Sequence, residues 1–251
     1  MIIPKYRVFD PTGNITVLVS GAPDKSVAEE IMRREPTAEQ VGFLTDDGLS
    51  LAMAGGEFCG NASMCAGLLR YLEKGEKESV LCVSGADEKI KVTVDGEDNG
   101  GYRCTVKMPR WKSVKKLGLR YGEENVTLPL VELQGIHHVI FPDRLPETEQ
   151  ERKTAENAAR LWCRRLDACA LGIMFYSRKS RSLVPLVYVP GADTVFWESS
   201  CASGTCAVGA YEATESMTEF AGELLEPAGM LSVRATSEKE LYLSGYAKII
   251  K

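Results

Sequence analysis

The stretch Cys59-Gly60-Asn61-Ala62-Ser63-Met64-Cys65-Ala66-Gly67 returns, reworded, as Cys201-Ala202-Ser203-Gly204-Thr205-Cys206-Ala207-Val208-Gly209. Each copy begins with a cysteine, a small residue and then Asn or Ser, and opens a segment whose small and apolar residues recur at helical spacing. Each follows a β-rich run and a turn bearing a glutamate, Glu57 or Glu198. Self-similarity on this scale predicts a duplicated chain, with two like halves facing each other across a cleft.

The flanking sequence reads as strands with few helices. A hairpin is expected from 6–9 and 15–19 around the turn formers Asp10-Pro11-Thr12-Gly13-Asn14. A helix over 26–34, strands at 41–44 and 49–53, the helix from Asn61 to Tyr71, and strands at 80–83, 89–94 and 102–108 complete the first half. Residues 109–116, charged and aperiodic, read as the crossing between domains. The second half predicts strands at 126–133 and 138–141, a helix over 148–166, strands at 172–176, 183–189 and 194–197, a helix over 204–220, and closing strands near 230–235 and 241–250. The expected class is α+β in two domains, 1–112 and 113–251, with the last strand a candidate to return to the first.

Composition narrows the function. The chain has 251 residues, 44% hydrophobic and 26% charged, with net charge -5. A chain of this size buries enough surface to fold without disulfide or metal staples. Its acidic balance points away from nucleic acid and toward a small polar ligand. The opening Met1-Ile2-Ile3-Pro4-Lys5 breaks its apolar run too early for a signal peptide or membrane span, so a cytoplasmic protein with reduced thiols is expected. Eight cysteines include no Cys-x-x-Cys, and the two histidines are adjacent, so no zinc ligand set is present.

A thiol at a helix N-terminus lies at the positive end of the helix field, beside N–H groups without intrahelical acceptors. Both effects favour thiolate, which marks Cys59 and Cys201. The same N–H groups can hold a carboxylate. An amino acid so held has its α-carbon between two thiols, one removing the α-proton and the other protonating the opposite face. The enediolate that forms would be stabilised by those donors, at roughly 3–4 kcal/mol each, and no cofactor is needed. The other six cysteines read as core thiols. His137 and His138 alternate along a strand, one toward core or site and one toward solvent. Lys115-Lys116 and Arg178–Arg181 read as solvated loops.

At these motifs the chain resembles the diaminopimelate epimerase family of pyridoxal-phosphate-independent racemases and epimerases. Gly56-Glu57-Phe58-Cys59-Gly60-Asn61-Ala62 resembles the family's first-cysteine motif, and Glu198 to Ala207 its second. Asp10–Asn14 is similar to its N-terminal Gly-Asn loop, and Gly135-Ile136-His137-His138-Val139 to its Gly-Asn-Pro-His strand. The resemblance implies two pseudosymmetric domains, each a barrel-like sheet around a central helix, with the active site in the cleft between them. It implies that Cys59 and Cys201 are the acid/base thiols and that Gly60, Asn61, Ala202 and Ser203 bind the α-carboxylate. Asn14 and Glu198 would line the site and orient the substrate or the thiols. Homodimers are common in such families, although no stretch here marks an interface.

Ser199 stands where the epimerases place an arginine that grips the distal end of diaminopimelate, and Ile136 replaces an asparagine. A carboxylate robbed of its bidentate partner binds poorly. The wording around both cysteines is closest to histidine racemases. The expected substrate is therefore a monocarboxylic amino acid, histidine first, its side chain near Ile136, Ser199 and one of Glu39 or Gln40. The alternatives are a diaminopimelate epimerase and a non-catalytic amino-acid-binding module, which would leave the α-proton in place. A Cys-His hydrolase would need only one of the two cysteines. The phenazine-synthesis isomerases of the same superfold carry a carboxylate in place of the first cysteine.

Overall fold

The computed structural model describes residues 4–98 and 100–251; the apolar opening Met1-Ile2-Ile3 lies outside them. The chain divides into two compact units, one of the described residues up to Pro109 together with Tyr242–Lys251, the other of Arg110–Leu241. Both are sheet-rich, and the described residues hold four α-helices.

In the first unit, β1 (Tyr6–Pro11) and β2 (Thr16–Ser20) form the antiparallel hairpin. Helix α1 (Lys25–Arg34) carries the chain across to β3 (Gln40–Leu44), parallel to β2, and β4 (Ser50–Met53) turns back antiparallel. Helix α2 (Gly60–Lys74) makes the next crossing to β5 (Glu78–Val83), parallel to β4, and β6 (Ile90–Asp98) and β7 (Gly101–Met108) follow antiparallel. The final strand β16 (Leu241–Ile249) pairs with both β7 and β1, so the hydrogen-bonded order returns to its start. Helix α2 is buried at every position from Gly60 to Leu68. Its Gly, Ala, Ser and Cys side chains are small enough for strands to approach on all sides.

The second unit repeats these pairings. After β8 (Ser113–Tyr121), β9 (Glu124–Glu132) and β10 (His137–Pro142) form a hairpin, and helix α3 (Glu149–Arg165) leads to β11 (Leu171–Ser177), parallel to β10. Strand β12 (Ser182–Val189) turns back antiparallel, with β13 (Thr194–Trp197) beside it. Helix α4 (Ala202–Ser216) precedes β14 (Phe220–Glu226), parallel to β12, and β15 (Gly229–Ala235). Each unit thus has its cysteine-bearing helix between the same pair of parallel strands. Both helices carry a glycine eight residues past that cysteine where the sheet comes close. A Cβ on Gly67 would lie 2.8 Å from Val92 Cβ, and one on Gly209 would lie 2.6 Å from Val233 Cγ2.

Three readings change. Residues 113–116, read as part of a crossing, begin β8, the last strand in the pairing order. An end strand with lysines on both faces shows neither apolar alternation nor a buried run. The helix expected over 204–220 starts at Ala202 and stops at Ser216, because Met217 takes a left-handed conformation (φ 54°), and Phe220 opens β14 instead. Cys82 and Cys169, expected in the core, are exposed. The first points outward along the alternation of β5, and the second lies in the loop before β11.

Candidate active site

The two cysteines cap their helices in the same way. Cys59 and Cys201 both have extended backbones, and each sulfur accepts from the N–H three residues on, Ala62 or Gly204, at 3.3 Å. Each carbonyl accepts from the N–H four residues on, Ser63 or Thr205, at 3.0 and 2.9 Å. Gly60 and Asn61 in α2, and Ala202 and Ser203 in α4, therefore carry the first-turn N–H groups that helix geometry leaves for another acceptor.

Around the first thiol, a polar chain runs back to the opening hairpin. The half-buried Cys59 thiol donates to Gln40 Oε1 at 2.9 Å, and Gln40 Nε2 donates to Thr16 Oγ1 at 2.8 Å and to Asn14 Oδ1. Asn14, itself buried, donates through Nδ2 to Glu39 Oε2 at 2.6 Å. Desolvation pushes the Glu39 carboxyl up, partly offset by Asn14, and the exposure of the residue as a whole keeps this effect modest. Asn14 and Gln40 thus join Cys59, Gly60 and Asn61 in one cluster. Asn61 is buried, with Oδ1 unpartnered among the described residues.

The second thiol is set among carboxylates. Cys201 is buried; its backbone N–H donates to Glu226 Oε2 at 2.6 Å, and Thr205 donates its hydroxyl to Glu226 Oε1. Burial holds the Cys201 thiol well above the ordinary cysteine range. Glu198, which also accepts a hydrogen bond from it, and Glu226 push it further, while Ser203, its hydroxyl 3.6 Å from the sulfur, pulls it down. Desolvation and the two acidic side chains thus oppose the helix N-terminus, which by itself favours thiolate. Glu198 and Ser199 are half-buried at the end of β13, beside the buried Ser200.

His138, fully buried, overlies Gly172, where a Cβ would come within 2.7 Å of its ring. Burial pushes it down to about 3, so it is a neutral imidazole. His137 is half-buried rather than solvated. Glu226, Thr205 and Thr16 were not singled out in the sequence. A lone glutamate ending a partly exposed strand gives no pattern to read, although its place just before Pro227 marks the strand end.

A sequence profile described as the histidine racemase CntK N-terminal domain matches residues 5–248. The chain belongs to the histidine racemase family. The epimerase resemblance is thereby narrowed, since the family shown is the histidine racemases and not the diaminopimelate epimerases as such. The chain is 35% identical over 267 residues to a histidine racemase of Fusobacterium nucleatum subsp. nucleatum (strain ATCC 23726), covering 98% of this chain and 96% of that one. Among solved structures, a predicted epimerase from Pseudomonas aeruginosa superposes with a TM-score of 0.69 at 12% identity, covering 98% and 96%. A probable proline racemase from Agrobacterium radiobacter K84, with bound carbonate, gives 0.66 at 12%, covering 97% and 90%. These two share the α+β, two-domain fold. The chain is an isomerase, an amino-acid racemase. No helix among the described residues is long and apolar enough to cross a membrane.

Proposed function

We propose that this racemase inverts the α-carbon of histidine with two thiols and no cofactor, Cys59 and Cys201 serving opposite faces. The observation that carries this reading is the matched capping of α2 and α4. Two cysteines, each followed by two first-turn N–H groups left for an outside acceptor, form the same local device twice. Gly60 and Asn61, with Ala202 and Ser203, hold the α-carboxylate and stabilise the enediolate as the α-proton leaves.

The chemistry needs one sulfur as base and the other as acid in each direction. Cys201, held protonated by burial and by Glu198, is suited to deliver a proton. Gln40 accepts from the Cys59 thiol through its amide oxygen while its Nε2 is held by Asn14 and Thr16. Asn14 fixes that amide. Glu198 orients the second thiol, and Ser199 lies beside it without the charge that a distal carboxylate demands. Ile136, Ser199 and one of Glu39 or Gln40 are the side chains assigned to the imidazole. The reading also takes the enzyme as cytoplasmic and homodimeric.

Racemisation of L-histidine by reduced protein with no added pyridoxal phosphate, followed by chiral chromatography, tests this. Cys59→Ser and Cys201→Ser should each lower kcat by about 100-fold to 10,000-fold in both directions, with the fold intact by circular dichroism. Full activity in either variant would sink the two-thiol assignment.

A further inference from the structure

Strand β14 ends on Glu226, whose side chain meets the first turn of α4 from another element. The residue is 3% exposed, and its carboxylate is held by the Cys201 N–H and the Thr205 hydroxyl. A buried carboxylate is costly unless donors fix it, and here two donors from one turn do so. The first thiol instead meets the neutral Gln40 amide.

We propose that Glu226 is a positioning residue for the second thiol, acting through the Cys201 main chain and through its charge to keep that thiol in its proton-bearing form. The proposal rests on the two-thiol reading above. The groups facing Glu226 are Glu198, a second negative charge, and the thiols of Cys201 and Cys206. Burial raises Glu226 to about 8, so it is ionised throughout the more alkaline range in which Cys201 loses its proton. By taking up the Cys201 N–H, it also fixes the cap geometry that aims the Gly204 N–H at the sulfur. The thiol with the higher proton affinity sets the alkaline limb of a two-base profile, so Glu226 sets that limb.

The test uses the full chain labelled with 13Cβ-cysteine, the Cys201 signal being assigned by its loss in Cys201→Ser. Glu226→Gln keeps the shape and an acceptor for the Cys201 N–H but removes the charge; Thr205→Val keeps the carboxyl and removes one donor. The Cys201 titration midpoint should fall by about one pH unit or more in Glu226→Gln and by less in Thr205→Val. The alkaline limb of histidine racemisation should move with it. An unmoved midpoint in folded Glu226→Gln overturns the proposal and leaves Glu226 a structural cap. A lowered midpoint with an unmoved racemisation limb upholds the Glu226 assignment and removes Cys201 from proton transfer, which is failure of the two-thiol reading instead. If Glu226→Gln does not fold, Thr205→Val decides by the same criterion.

Discussion

Burial shifts both Glu226 and His138 toward their uncharged forms, and both tie stability to pH. Glu226 binds its proton more tightly folded than unfolded. The stability it contributes is full below the ordinary carboxylate range and is lost as pH rises through about 8. His138 refuses when folded a proton that the unfolded chain takes near 6.5. Its contribution is present above that value and is lost as pH falls toward 3. Urea unfolding between pH 5 and 9 should show wild type losing on the order of a few kcal/mol relative to Glu226→Gln as pH rises. His138→Gln should flatten the loss on the acid side. Curves that stay parallel for either pair would contradict the assignment for that residue.

At the scale of elements, α2 and α4 depend on close approach to β6 and β15. Gly67→Ala and Gly209→Ala should each gain helix propensity of up to about 1 kcal/mol yet overpack against Val92 and Val233. The net expectation is a loss of about 1–2 kcal/mol in denaturant unfolding, and a gain at either site would mean that the sheet yields. The same two helices were the most legible part of the sequence, because a repeated cysteine and small residues at helical spacing are local signals. So was α3, whose Thr148 and Glu151 form a capping box. Strands β8 and β14 were not legible. Lys115 and Lys116 on one, and Gly222 and Glu223 on the other, leave no apolar period, and those strands exist through their pairing with β9 and β15. In the site, the thiols and their N–H pairs could be read from sequence. The raised proton affinity of Cys201 could not, since it comes from burial and from Glu198 and Glu226, and Glu226 meets it only through the fold.

At the scale of the whole molecule, the chain ends in the unit where it began. Residues 242–251 supply the strand between β7 and β1, with Leu243 fully buried and the Val8 N–H donating to the Lys251 carbonyl at 2.9 Å. Deleting them should cost more than about 3 kcal/mol and speed amide exchange in β1 and β7 before β10 or β11. Equal acceleration in both units would contradict that division. The internal repeat of pairings gives the molecule two equivalent cysteine caps, which is what inversion by two bases requires. The most direct test is L-histidine with reduced protein in D₂O, the α-proton followed by NMR and the enantiomers by chiral chromatography. The account predicts that deuterium enters D-histidine as it forms while remaining L-histidine stays protiated at early times, and that diaminopimelate does not exchange. Absence of exchange with histidine, or deuterium entering L-histidine without inversion, would contradict it.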